Sequence, residues 1–195
     1  NECRGWEIML RALLMREPKR KDICGEACAF TGHRPQKLPF GFNEEDPRCI
    51  ALKAVIETQI VNHIELYNVS YFISGMAMGT DIYAAEITLA LRQKYPSIFL
   101  ECVIPCETQT ARWNPVWKKR YDHILAECNK KTVLQQLYTP DCMDRRNRYM
   151  VDRANYIIAV WNGRAGGTQN TVLYAQNLGK RVSIINPNSL TFQTF

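Results

Sequence analysis

The chain has 195 residues, of which 46% are hydrophobic and 23% are charged, and its formal net charge is +6 at pH 7. This composition is typical of one globular domain with a single core, and it excludes a fibrous or disordered chain. The sequence contains no run of about 18 apolar residues and opens without the apolar block of a signal peptide, so we expect a soluble protein with no membrane partner.

Short apolar strands and longer helices alternate along the sequence. Residues 5–16 have helical spacing, which predicts a helical extension over 1–26, then a domain over 27–187 and a tail over 188–195. The strands are predicted at 27–32, 69–74, 98–104, 131–137, 155–161 and 181–186. The helices are predicted at 46–68, from about 80 onward, at 115–127, 142–154 and 168–178.

Helix boundary signals support these assignments. Asp46 is the expected N-cap of the first long helix and Pro47 its first residue, and Asn114 with Pro115 is expected to begin the helix that runs to about residue 127. Gly179 is expected to end the last helix. Strands joined through helices pair in parallel by right-handed crossovers. The sequence therefore predicts an α/β fold with a Rossmann-like, doubly wound, mainly parallel sheet flanked by helices. Ligands bind such sheets beyond the carboxyl ends of the strands.

The first loop at that edge is "TGHRP", residues 31–35. Thr31 and Gly32 are expected at the sheet edge, and Arg34 is able to donate two hydrogen bonds to one phosphate. His33 either contacts the ligand or forms a hydrogen bond within the loop.

The second loop is "SGMAMGTD", residues 74–81, which includes Ser74 and Met76. Gly75 and Gly79 allow the backbone to turn sharply and to approach a ligand closely. The helix that follows is expected to direct its N-terminus at an anion. Asp81 lies in the first turn of this helix, where it either caps the helix or contacts the ligand directly.

The third loop is "GRAGGTQNT", residues 163–171, which connects the fifth predicted strand to the last helix. Gly166 and Gly167 supply another tight turn before a helix N-terminus. Thr168 and Thr171 offer their hydroxyl groups to phosphate oxygens or cap the helix.

A further segment, "PCETQTARW", follows the third strand. Gln109 and Trp113 either contact a nucleobase, by an amide and by ring stacking, or Trp113 packs the loop against a neighbouring helix. Trp161 allows the same two interpretations. Basic clusters at 16–21, 117–120 and 145–148 form either a solvated surface or a surface that attracts phosphate.

Three of these segments resemble known families. "SGMAMGTDIYAA" and "GGTQNTVLYAQNLGKRV" resemble two loops of the DNA-processing protein A (Smf) family. "MDRRNRYM" resembles a helix of the Lonely Guy phosphoribohydrolases, with Arg146 at the position of that family's arginine. Both belong to the SLOG superfamily. With "TGHRP" and "PCETQTARW" the set most resembles the YpsA-like branch, over about residues 28–187. The resemblance implies a nucleotide-related ligand and self-association as a homo-oligomer.

The sequence departs from both families at important positions. Thr171, Leu173 or Tyr174 stands where the Lonely Guy enzymes have a catalytic glutamate, which leaves Asp81 and Glu86 as substitute carboxylates beside Arg146. Met78 stands where the DNA-processing family has a basic residue.

The leading hypothesis is therefore binding or sensing of a nucleotide or nucleotide-derived ligand, such as a nucleotide-sugar or an ADP-ribose-like molecule. The alternatives are an N-glycosidase or phosphoribohydrolase that acts on nucleoside phosphates, and single-stranded DNA binding. Eight scattered cysteines, without the spacing of a zinc site, favour free thiols, a cytoplasmic location and no metal. We expect no cofactor.

Overall fold

A computed structural model of the protein describes residues 25–195. The predicted extension lies outside the described residues except for 25 and 26. The described chain forms a seven-stranded sheet with strands β1 (Glu26–Gly32), β2 (Val69–Ser74), β3 (Phe99–Ile104), β4 (Lys130–Val133), β5 (Tyr156–Val160), β6 (Arg181–Ile185) and β7 (Phe192–Thr194). Its helices are α1 (Pro47–Tyr67), α2 (Thr80–Leu91), α3 (Pro115–Glu127), α4 (Cys142–Arg153) and α5 (Gly167–Asn177), with a 3-10 turn at Pro35–Lys37.

The strand order is β4-β3-β2-β1-β5-β6-β7, and every neighbouring pair is parallel except β6 with β7. This confirms the predicted α/β, Rossmann-like sheet. From β1 the chain adds β2, β3 and β4 on one side, and it then returns to place β5 and β6 on the other. The order reverses between β1 and β5, where Gly32 pairs with Val160 at the carboxyl ends. A crevice for ligands is expected at such a reversal.

The predicted helix signals act as expected. Asp46 caps α1 by accepting a hydrogen bond from the Arg48 amide at 2.8 Å. Asn114 caps α3 in the same way, through the Trp117 amide at 3.0 Å. Gly179 follows α5 with a φ of 67°, a conformation that glycine adopts without strain. Local sequence thus determines where these helices begin and end.

The core lies on both faces of the sheet. One face packs against α1, α2 and α3, where Phe30 of β1 stacks on Phe72 of β2 with ring centroids 5.7 Å apart. The other face packs against α4 and α5, where Ile157 of β5 joins Met150 and Val172. Side chains of successive strand residues point to opposite faces, so a parallel strand covered on both sides is apolar along its whole length.

Two predicted segments differ in the structure. β4 ends at Val133 rather than 137, because its last ladder bond runs from the Leu134 amide to the Ile104 carbonyl at 2.9 Å and β3 ends there. The predicted tail over 188–195 contributes β7, which pairs antiparallel with β6. All three β7 residues are exposed, so backbone pairing with the preceding strand β6, rather than burial, forms this strand.

Six cysteines within 25–195 have free thiols, and most of them are buried. In the same range no helix is long and apolar enough to cross a membrane. The cytoplasmic location remains a prediction.

The packing of α1 on the sheet generates a stability prediction. Ile56 is fully buried, so Ile56→Ala should lower the free energy of unfolding by about 2–5 kcal/mol in urea denaturation. Leu66, on the same helix, is 69% exposed, and Leu66→Ala is the matched control, with an expected change within about 0.5 kcal/mol. Equal losses for the two variants would contradict this placement of α1.

Candidate functional site

A cavity of about 240 Å³ lies at the carboxyl ends of β1 and β5, where the strand order reverses. Its walls come from the loop after β1, the loop after β2, helix α4 and the first turn of α5. The three glycine-containing loops singled out in the sequence therefore meet in one place. The sequence-predicted residues that line the cavity are Thr31, Gly32, His33, Arg34, Asp81, Arg146, Gly166, Gly167 and Thr168.

The lining is strongly positive. The lining includes the cationic residues Arg34, Lys37, Arg146 and Arg164 and a single carboxylate, that of Asp81. Arg146 is buried, whereas the other three cations are exposed and form no ion pair with any residue in 25–195. Three cationic side chains are therefore free to bind an anion at the cavity.

Helix α5 adds backbone donors to these charges. Its first helical hydrogen bond within this turn runs from the Asn170 amide to the Gly166 carbonyl at 3.0 Å, so the amides of residues 167–169 have no acceptor inside the helix. Such amides and the helix dipole attract anions. Gly166 has a φ of 145°, and a Cβ there would lie 3.0 Å from the Lys37 Nζ, so glycine keeps this approach open.

The glycines of the loop after β2 predict a close approach to a ligand, but in the structure this loop mainly forms hydrogen bonds within the protein. The Thr80 amide and hydroxyl both donate to the His33 carbonyl, at 3.3 and 3.1 Å. The Ala77 amide donates to Asp81 Oδ2 at 3.3 Å. The Thr80 amide and the Asp81 carboxylate at the start of α2 are thus used in contacts within the protein, whereas the amides of 167–169 have no acceptor inside α5.

Arg146 joins α4 to that loop. Its guanidinium donates to the Gly75 carbonyl, and Nη1 lies 3.7 Å from Asp81 Oδ2. A Cβ on Gly75 would lie 2.6 Å from Nη1, so only glycine allows this approach. Burial raises the pKa of Asp81, and the positive charge of Arg146 opposes that rise. Burial also lowers the pKa of Arg146, against the effect of Asp81. The two groups compensate each other's charge inside the protein.

Asn147 extends this contact to α5. Its Oδ1 accepts a hydrogen bond from Arg146 Nε at 2.9 Å, and its Nδ2 donates to Thr171 Oγ1 at 2.8 Å. Thr171 Oγ1 in turn donates to the Gly167 carbonyl at 2.8 Å. The Thr171 hydroxyl is therefore used inside the protein and is not part of the cavity lining, unlike Thr168.

His33 lines the cavity and forms a hydrogen bond to a different loop rather than within its own, and its contact with a ligand stays a prediction. Its Nε2 lies 2.7 Å from Asn162 Oδ1, which ties the loop after β1 to the loop after β5. Burial is the largest influence on the pKa of His33 and lowers it, which favours the neutral imidazole.

Three other predicted ligand residues lie outside the cavity lining and organise the loop after β2. Ser74 Oγ donates to the Asp81 carbonyl at 2.9 Å and accepts from the Met76 amide at 3.2 Å. Met76 is buried, and its carbonyl accepts from Gln109 Nε2 at 2.8 Å. The side chains of Ser74 and Gln109 are thus committed to backbone groups, which explains their absence from the lining.

The remaining predicted residues also lie elsewhere. Gly79 sits beside the His33 carbonyl, where a Cβ would approach within 2.8 Å. Trp113 packs edge-on against Tyr121, with ring centroids 5.5 Å apart. Both oxygens of the Glu86 carboxylate are bound by Arg120, at 2.7 Å each. Glu86 is therefore an ion-pair partner of Arg120 and lies outside the lining of this cavity, and its catalytic role stays a prediction.

Sequence reasoning missed several lining residues, chief among them Lys37, Asn147 and Arg164. Lys37 ends the 3-10 turn that begins at Pro35, the last residue of "TGHRP". A turn predicted from this proline would have indicated that Lys37 lies near the same sheet edge. Arg164 lies inside the third glycine-rich loop, and Asn147 is adjacent to Arg146.

Comparison with known proteins now identifies the family. The model of the YpsA family, described as "YspA SLOG family", matches residues 28–190. The chain belongs to the YpsA family of SLOG proteins. A UPF0398 protein of Bacillus pumilus is 28% identical over 142 residues, which cover 72% of this chain and 75% of the relative. The SPbeta prophage-derived protein YoqJ of Bacillus subtilis is 28% identical over 158 residues, covering 74% of this chain and 92% of YoqJ.

Solved structures of DNA processing protein A share the fold of this YpsA family member. The protein from Streptococcus pneumoniae superposes with a TM-score of 0.55 at 18% identity, over 83% of this chain and 50% of the Streptococcus chain. The protein from Helicobacter pylori gives a TM-score of 0.55 at 17% identity, over 83% of this chain and 66% of its own. The chain thus spans half to two thirds of these neighbours.

The buried pair of Arg146 and Asp81 generates a pH-dependent prediction. Arg146→Met leaves the Asp81 carboxylate buried without its cation and should cost about 3–5 kcal/mol of stability at neutral pH. Loss of the Arg146 charge should raise the pKa of the buried Asp81 carboxyl further above its unfolded value, so this cost should grow as pH rises through the raised folded-state pKa of Asp81.

Urea denaturation between pH 4 and pH 8 measures this effect. The double variant Arg146→Met with Asp81→Asn removes the buried charge, so it should be more stable than Arg146→Met alone at pH 8. A cost that is independent of pH and is unaffected by Asp81→Asn would show that the two charges are not coupled.

Proposed function

We propose that the protein binds or senses a nucleotide or nucleotide-derived ligand, such as a nucleotide-sugar or an ADP-ribose-like molecule, through its phosphate. One observation carries the proposal: three cations without ion-pair partners in 25–195 line the same cavity as the first turn of α5, whose amides have no acceptor in the helix. Unbonded amides and cations at a helix N-terminus suit a phosphate group.

Each group has a distinct role in this proposal. The Arg34 guanidinium provides paired donors for two phosphate oxygens, and the Lys37 ammonium acts as a compact positive charge. Thr168 lines the cavity at the second residue of α5 and supplies a hydroxyl donor beside the amides. Gly166 lets the phosphate approach the backbone.

Binding without turnover fits the carboxylates better than hydrolysis does. Cleavage of a glycosidic bond generally uses two carboxyl groups, one on each side of the bond. Asp81 is the one carboxylate in the cavity lining within residues 25–195, and it accepts from the Ala77 amide and faces Arg146. Incubation with nucleoside monophosphates should release no free base. If the unmodified protein releases free base and Arg146→Ala abolishes this release, the result would instead support an N-glycosidase.

Single-stranded DNA binding is the second candidate. The fold resembles DNA processing protein A, and the Helicobacter pylori protein is described by its single-stranded DNA binding mode. The exposed side chains of Arg34, Lys37 and Arg164 also suit a chain of phosphates. This candidate requires a gel shift of a single-stranded oligonucleotide at low salt, with affinity that falls steeply as salt rises. Absence of the shift at low salt excludes it.

Isothermal titration with AMP and with ADP-ribose tests the leading proposal. Arg34→Ala should weaken binding about tenfold or more, because a hydrogen bond to a charged group is removed. Binding should also weaken with added salt. Lys94→Ala is the matched control: Lys94 is exposed, follows the C-terminal end of α2 and lies outside the cavity lining, so affinity should not change. Equal losses for both variants, or no binding of either ligand by the unmodified protein, would contradict the proposal.

A further inference from the structure

A second cavity, of about 280 Å³, lies along β6 and the edge strand β7, and it extends from Phe195, which pairs with Val182 near the amino end of β6, to the loop after β5. Its walls include Trp161 and Asn162 after β5, together with Gln193 and Phe195 at β7. Aromatic rings and amide side chains thus surround a cavity without any charged lining residue in 25–195.

The two cavities share the loop after β5. Asn162 and Gly163 line the second cavity, and the next residue, Arg164, lines the first. Asn162 Oδ1 also accepts from the Arg164 amide at 3.2 Å and lies 2.7 Å from Nε2 of His33, another lining residue of the first cavity. The two cavities are therefore adjacent, because consecutive residues of the loop after β5, 162–164, line one or the other.

Trp161 is held in place by this loop. Its indole Nε1 donates to the Arg164 carbonyl at 2.8 Å, and the ring packs partly against the core beside α5. The indole orientation is thereby fixed to the segment that carries the proposed phosphate site. A ring held in this way loses little entropy when a planar ligand stacks on it.

Phe195 provides a second aromatic surface. Its backbone exchanges two hydrogen bonds of 3.0 Å with Val182 of β6, which fix its position, while 60% of the residue is exposed. Trp161 and Phe195 line the same cavity, and within 25–195 no ring contact joins them. Both rings are available to a ligand rather than packed on each other.

Amide groups complete the lining. Asn186 Oδ1 accepts from the Asn188 amide at 2.9 Å, which leaves the Asn186 NH₂ group to donate elsewhere. The Gln193 side chain is exposed and forms no hydrogen bond with another residue in 25–195. Primary amides are able to donate to and accept from the edge of a nucleobase.

We propose that the second cavity is the base subsite of the same ligand: it stacks the nucleobase of a nucleoside 5′-phosphate whose phosphate group lies at α5. This inference rests on the proposed function. Stacking provides affinity for every base, since each has a π-face, and the amides of Asn186 and Gln193 set the preference among bases.

Isothermal titration with AMP and with ribose 5-phosphate tests the subsite, because the second ligand has the phosphate but no base. The unmodified protein should bind AMP about tenfold more tightly than ribose 5-phosphate. Trp161→Ala and, separately, Phe195→Ala should lose most of that advantage and keep their affinity for ribose 5-phosphate. Phe192→Ala is the matched control, since Phe192 is a 52% exposed aromatic residue of β7 outside the cavity lining.

The outcomes separate the two proposals. Equal affinity of the unmodified protein for both ligands, or an AMP advantage that survives in both aromatic variants, would overturn the base subsite and leave the phosphate site standing. Failure of the unmodified protein to bind either ligand would overturn the phosphate site as well. Loss of the AMP advantage in Phe192→Ala to the same extent would also contradict the assignment.

Discussion

The arrangement of this site depends on one buried cation, Arg146. A buried guanidinium is strongly unfavourable unless it is paired and hydrogen-bonded, and here Asp81, the Gly75 carbonyl and the Asn147 side chain meet that need. These partners belong to the loop after β2, to the first turn of α2 and to α4. Asn147 also donates a hydrogen bond to Thr171 of α5. The geometry of one loop is therefore coupled to that of the next. The parallel strand order brings the loops to a common rim, and this network then connects the loop after β2 to the start of α5.

This internal pairing divides the basic residues of the region by function. Arg146 is committed to the protein, so its charge mainly organises the floor of the cavity. Arg34, Lys37 and Arg164 lie on the exposed side without ion-pair partners in 25–195, and the amides at the start of α5 lie among them. The floor of the cavity is held by the contacts of Arg146 before an anion arrives, so ordering this part of the site costs little free energy. The same loop then leads to the aromatic cavity at Trp161, which favours a ligand with a phosphate at one end and a planar group at the other.

Local sequence signals predicted most of the fold and part of the site. The caps at Asp46 and Asn114 and the apolar runs of the parallel strands are short-range features, so their elements were predicted within a few residues. Loops after parallel strands must share an edge, which is why Arg34, Asp81, Arg146 and Gly166 were expected to meet. The roles of Ser74 and Gln109 depend on hydrogen bonds to particular backbone groups, and no spacing rule reveals these. The strand β7 was missed because pairing with β6, rather than burial, forms it.

The central claim is that the phosphate of a nucleotide binds at the start of α5, on a site that Arg146 organises from below. A titration of the ¹⁵N-labelled protein with AMP, followed by amide chemical shifts, tests this most directly. The account predicts the largest shifts at the amides of Gly167, Thr168 and Gln169, with a smaller change at the Arg34 side chain. Saturable binding of AMP that leaves these groups unchanged and shifts residues at the opposite, amino-terminal edge of the sheet would contradict it.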